Sequence, residues 1–174
     1  MHQLLLLRHA KSSRDDPAVP DHARPLSPKG EDAAAAMARA MRELGLQPDL
    51  VLVSSARRTI QTLERLEPWD DTPLIEPMDG LYMATAPQML KIVAGVAETV
   101  RSAMLIGHNP GLQELALLLA GGGEAAEQTP QTRRLAETYP TAGLAEFAVP
   151  GTWQGLKPGG ARLVRFLAPA DLPD

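Results

Sequence analysis

The sequence predicts an α/β fold, a three-layer α/β/α sandwich on a mostly parallel central sheet. Three short apolar runs without polar alternation, residues 3–7, 50–53 and 103–106, read as strands covered on both faces. Helical patterns separate them, as βαβ units require. Two late strand-like runs, 144–149 and 162–167, flank the glycine turns of GLKPGG and read as an antiparallel hairpin with a long loop.

Each element has a local reason. After the first strand, residues 11–26 are rich in Pro, Asp and Ser and read as a loop. Ser27 offers an N-cap, Pro28 suits the first helical position, and Glu31 and Asp32 sit near the positive end of the helix dipole. Ala33, Met37, Ala40, Met41 and Leu44 recur at helical spacing, and Gly45 stops that helix. Ser54 or Ser55 caps a second helix with Ala56, Ile60 and Leu63 on its buried side. A short strand is expected at Leu74-Ile75, and a helix over 87–100 from Met89, Leu90, Val93 and Val96. A leucine-rich helix follows the third strand to about Leu119, where Gly121-Gly122-Gly123 breaks it. From there to Thr141 the chain is polar and reads as a mobile loop, with Glu124 to Glu127 as solvated charges.

Composition bounds the function. At 44% hydrophobic and 22% charged residues, the 174-residue chain reads as one globular domain spanning 1–174. Aromatics make up only 3%, so aliphatic side chains and methionine must fill the core. A net charge of −4 offers no general attraction to nucleic acid or acidic membrane, so any anionic ligand needs a local basic cluster. The chain has no cysteine, which excludes disulfides, thiolate nucleophiles and zinc–thiolate sites and fits a cytoplasmic protein. No apolar run approaches the roughly 18 residues of a membrane span. MHQLLLLRH lacks a basic region before its apolar run and a cleavage site after it, and reads as a first strand rather than a signal peptide.

The three apolar runs share one feature. They end in Arg8-His9, in Ser54-Ser55-Ala56-Arg57-Arg58 and in Gly107-His108-Asn109. Ligands of parallel α/β sheets bind beyond the carboxyl ends of the strands. If the three strands are neighbours, two histidines and at least two arginines converge there. Helix amino termini follow two of these ends, with Asn109 and Pro110 as cap and first residue of one. Such a cationic, thiol-free site suits a phosphoryl group. Arginine binds its oxygens in a bidentate fork, and a histidine kept neutral by cationic neighbours can attack phosphorus. His2 and His22 lack such context and read as surface residues, and no histidines are spaced as metal ligands. Neither a metal nor another cofactor is expected.

These residues carry a resemblance. Arg8-His9-Ala10, the segment SSARRTIQT from Ser54 to Thr62, and Gly107-His108 resemble the RHG, S-x-x-x-R and GH elements of the histidine phosphatase, or phosphoglycerate mutase-like, superfamily. RHAKSS, ARPLSPKG, DGLYMA, IGHNPG and YPTAG are similar to its small SixA-type phosphohistidine phosphatases, over nearly the whole chain. The resemblance implies that His9 is the nucleophile that becomes phosphorylated, and that Arg8, Arg58 and His108 form the phosphate pocket, His108 also being catalytic. Arg24 and Ser12 are candidates for substrate contacts. Its register selects Arg58 over Arg57, and helical geometry, which turns Arg58 away from the apolar face, does not contradict it.

One departure leaves alternatives open. Many larger relatives use a mid-chain glutamate as general acid, and here Met83 stands at that position, with Asp79 and Glu76 as the carboxylates nearby. The resemblance therefore implies a metal-independent phosphatase for phosphohistidine on a protein, whose imidazole leaves more easily than an alkoxide. A phosphatase for a small phosphoester, using Asp79 or Glu76 as acid, is the alternative enzyme. A phosphate- or phosphoprotein-binding module without turnover is the alternative of another class. Oligomeric state is not legible.

Overall fold

The computed structural model describes residues 1–121 and 129–173. Glu124 to Glu127, read above as solvated charges, lie outside the described residues. Six strands form one sheet: β1 (His2–Arg8), β2 (Leu50–Ser54), β3 (Leu74–Met78), β4 (Ser102–Gly107), β5 (Leu144–Val149) and β6 (Arg162–Leu167). Their order is β3-β2-β4-β1-β5-β6. The first four run parallel, β5 runs antiparallel to β1, and β6 antiparallel to β5. The three strands with cationic or imidazole ends are thus adjacent in the middle of the sheet.

Among the described residues five helices cover the two faces: α1 (Pro28–Glu43), α2 (Arg57–Glu64), α3 (Ala86–Ala94), α4 (Gly111–Leu119) and α5 (Pro130–Glu137). Alternate residues of each strand point to opposite faces. Leu5, Leu7, Val51, Val53, Met104 and Ile106 pack against Met37, Ala38 and Met41 of α1 and Leu63 of α2. Leu4, Leu6, Leu50, Leu52 and Leu105 pack against Met89 and Val93 of α3, Leu112, Leu115 and Leu119 of α4, and Leu135 of α5. These are the three expected layers. The inner stretches of the central strands, residues 4–7, 50–53 and 103–106, are apolar throughout because both faces are covered.

Several boundaries differ from the sequence reading. The buried stripe of α1 is Gly30, Ala34, Met37, Ala38 and Met41, so Leu44 is exposed as the C-cap residue. Ala56, with no side-chain cap, precedes α2, because Ser54 belongs to β2 and its hydroxyl is used elsewhere. The third helix ends at Ala94, with Gly95 as its C-cap, rather than near Val100. Pro110 rather than Asn109 is the N-cap of α4, which begins at Gly111, although Asn109 Oδ1, one residue earlier, accepts from the Gln113 N–H at 3.1 Å. Within the stretch read as a mobile loop, α5 is a helix with a Thr129–Thr132 capping box. His2 is half-buried, stacked on Trp153 at 4.6 Å with Nε2 3.2 Å from Glu98, and is not an ordinary surface residue. Among the described residues no helix is long and apolar enough to cross a membrane.

Candidate active site

The ends of β1 and β4 are in register, with Arg8 opposite Gly107, and the His9 N–H donates to the Gly107 carbonyl at 3.1 Å. His9 and His108 therefore leave the sheet side by side, with ring centroids 5.3 Å apart. The YPTAG segment braces this end. The Ala142 N–H is shared between the Arg8 and His9 carbonyls at 3.1 Å each, and Ala142 takes a positive φ of 60° to do so. The Tyr139 carbonyl accepts from Arg8 Nη1 at 2.8 Å and from Asn109 Nδ2 at 3.0 Å. One backbone oxygen thus orients a side chain from each histidine-bearing strand end.

The segment from Ser54 to Thr62 serves the same place. Thr62 Oγ1 accepts from the Ala10 N–H at 3.0 Å and donates to the Arg58 carbonyl at 2.7 Å. Gln61 Oε1 accepts from the Leu26 N–H at 2.8 Å, tying the 11–26 loop to α2. Arg58 is 3% exposed, whereas Arg57 is exposed to solvent. Of the two competing arginines, α2 turns Arg58 into the site.

The imidazoles are held in defined states. His9 Nδ1 lies 2.7 Å from the Ala10 carbonyl, which can only accept, so Nδ1 carries the proton and Nε2 keeps its lone pair. Among the described residues Nε2 has no hydrogen-bond partner. Burial, aided by Arg58, Arg8 and Arg24 and opposed by the Ala10 hydrogen bond, lowers the His9 pKa to about 4. At neutral pH it is a neutral imidazole with a free nitrogen.

His108 is pinned at both nitrogens. Arg58 Nη2 donates to Nδ1 at 3.3 Å, so the proton sits on Nε2 and is donated to Ser54 Oγ at 2.7 Å. Burial first, then His9 and Arg58, lower its pKa to about 3. Both ring nitrogens of His108 are thus occupied, one by the guanidinium of Arg58 and the other by Ser54.

Arg8, His9, Arg58 and His108 line one cavity of about 770 Å³. Arg24 and Ser12 line it too, joined by an Nη1-to-Oγ hydrogen bond of 2.8 Å. Asp79 and Glu76 do not. Asp79 opens an exposed turn, and Glu76 sits on the edge strand β3 opposite Leu52 and faces a different groove. Met83 does line the cavity, with Sδ 3.9 Å from Arg58 Nη2 and a φ of 52°. The position where a glutamate was expected is therefore at the site, but carries a thioether.

Sequence reasoning missed Asp21, the cavity carboxylate bonded to two of the arginines. Asp21 receives Arg58 Nη2 at 3.1 Å on Oδ2 and Arg24 Nη2 at 2.9 Å on Oδ1, and the Tyr82 hydroxyl donates to Oδ2. Arg58 Nη1 also donates to the Asp21 carbonyl at 2.8 Å. The Tyr82 hydrogen bond, with those of both arginines, holds the carboxyl well below the usual carboxylate range. Among the described residues no three His, Cys, Asp or Glu side chains are placed to share a metal ion.

The chain belongs to the histidine phosphatase superfamily (branch 1), whose family model matches residues 4–81. Its likeness to other proteins extends well beyond that segment. An uncharacterised protein of Mycobacterium tuberculosis is 34% identical over 165 residues, covering 94% of this chain and 99% of the relative. A structure provisionally assigned as phosphohistidine phosphatase SixA of Nakamurella multipartita superposes with a TM-score of 0.84 at 27% identity, over 97% of this chain and 96% of that one. One with the same provisional assignment from Agrobacterium tumefaciens gives 0.80 at 29% identity, over 96% and 97%. Within the superfamily, the chain is thus of the SixA type.

Proposed function

We propose that the protein is a cytoplasmic, metal-independent phosphatase, acting as one domain, that removes the phosphoryl group from phosphohistidine on a protein through a covalent intermediate on His9. The observation that carries the covalent step is the Nδ1–H bond to the Ala10 carbonyl, which leaves Nε2 unprotonated within the arginine-lined cavity. In the first step Nε2 bonds to phosphorus as the substrate P–N bond breaks, and the departing imidazole takes a proton from solvent. In the second, water attacks phospho-His9, its proton passes to solvent, and phosphate leaves with Nε2 restored. Arg8 and Arg58 hold the phosphoryl oxygens while charge shifts among them, and His108 keeps Arg58 in place.

The substrate class follows from the carboxylates. An alkoxide needs an acid to protonate it on departure, whereas an imidazole leaves without a strong one. Asp21, the carboxylate bonded to Arg58, is held as an anion and is a poor proton donor. This supports phosphohistidine over an ordinary phosphoester. The SixA-type relatives support the same reading.

A phosphorylated histidine-phosphotransfer protein and a chromogenic phosphoester, each assayed with chelator present, test the reading. Rapid release from the protein and little from the ester is expected. The reverse would establish a small-molecule phosphatase. Binding of phosphate or vanadate without hydrolysis of either would establish a binding module.

A further inference from the structure

The cavity is far larger than one phosphoryl group, and its outer arm has a chemistry of its own. Lys11, Arg14 and Lys29 line it, all exposed, and none forms an ion pair among the described residues. Of the two carboxylates that line the cavity, Asp21 is held by Arg24 and Arg58, which leaves Asp15 as the other lining carboxylate. On a chain of net charge −4, this is a local reversal of sign.

The backbone beneath these cations is fixed. The Lys11 carbonyl accepts from the Ser27 N–H at 2.9 Å and from the Ser27 hydroxyl at 3.2 Å. Gly30 packs directly on it, where a Cβ would lie 2.0 Å from that oxygen. Ser12 bridges to Leu26, and the Ser13 N–H donates to the Pro25 carbonyl at 2.8 Å. Lys11 and Lys29 are thereby presented from two stitched segments. The inner cavity offers the buried Arg58 and half-buried Arg8 guanidiniums, forks suited to a phosphoryl group. The arm offers mostly exposed point charges, suited to carboxylates that approach through solvent.

We infer that this arm is a second subsite that recognises carboxylates flanking the phosphohistidine of an acidic protein segment. The inference rests on the phosphohistidine reading above and adds to it a preference in sequence context. Exposed charges of this kind act mainly on association and are screened by salt.

Three phosphohistidine peptides with one common core, flanked by Glu, Gln or Lys, test it. Wild-type kcat/KM is expected to rank Glu above Gln above Lys, with about tenfold between the extremes at low salt, shrinking as salt rises. The double variant Lys11→Glu/Lys29→Glu is expected to reverse that order, an outcome misfolding cannot produce. Equal wild-type rates on all three peptides, or an order unchanged in the variant, would overturn the subsite and leave the phosphatase reading standing. If wild-type protein hydrolyses none of the peptides, the phosphohistidine reading fails and the subsite falls with it.

Discussion

The carboxylate of Asp21 lies 3.1 Å from Nη2 of Arg58, so the arginine assigned to clamp the phosphoryl group already carries an intramolecular anion. A bound phosphate must compete with that carboxylate for the same guanidinium. Asp21→Asn removes the competing charge, and inhibition by inorganic phosphate should strengthen about threefold to tenfold. Arg58→Lys should lower kcat/KM about 100-fold or more, because an ammonium cannot reproduce the fork. Steady-state rates with phosphate as competitor measure both, and unchanged phosphate inhibition in Asp21→Asn would remove Asp21 from the anion site.

The two imidazoles make stability depend on pH. His9 has a pKa of about 4 in the fold against an ordinary 6.5, and His108 one of about 3. Between 6.5 and those values the unfolded chain binds protons that the folded chain does not. Stability is therefore full above about pH 6.5 and falls as pH drops toward 4. Ring-proton NMR should show neither histidine titrating between pH 6 and 7. Urea midpoints should decline from pH 7 to pH 5, less so in His9→Gln. A His9 midpoint near 6.5 would contradict the buried neutral state.

Ser54 is fully buried and accepts the Nε2–H of His108. Ser54→Ala leaves that donor unpaired, at about 1–3 kcal/mol, and frees the ring to turn away from Arg58. We expect kcat/KM to fall about tenfold while Ser54→Thr restores most of it, a rescue that a merely structural role would not require. Equal activity of Ser54→Ala and wild type would show that His108 needs no such anchor.

Two glycines hold loops against the site. A Cβ at Gly30 would lie 2.0 Å from the Lys11 carbonyl oxygen, and one at Gly111 would lie 2.1 Å from that of Ala84. Backbone cannot yield as a flexible side chain does, so Gly30→Ala and Gly111→Ala should each cost about 2–3 kcal/mol. Gly80→Ala, where a Cβ meets nothing within 4 Å, serves as the control in thermal unfolding.

The strand ends are legible in sequence because the apolar runs stop at Arg8-His9 and Gly107-His108, and β1 and β4 end at Arg8 and Gly107. Caps such as Ser27 and Thr85 act within one helical turn, and Ser27 is readable for that reason. Asp21 is not readable. It sits in an aperiodic loop, and its partners Arg58 and Tyr82 lie 37 and 61 residues away in sequence. Helix α5 buries only Thr132 and Leu135, too few apolar groups to reveal a period, though its Thr129-Pro130 start is a local signal. Ser54 looks like a helix cap in sequence, and only the approach of β4 shows that its hydroxyl serves His108.

The central claim concerns one nitrogen. Wild-type protein mixed with a phosphohistidine substrate and quenched within the first turnover should carry a phosphoryl group on Nε2 of His9, located by mass spectrometry of the digest. His9→Ala should carry none and release no phosphate while melting as wild type does. Turnover by His9→Ala, or a phosphoryl group trapped on any other residue, would contradict the account.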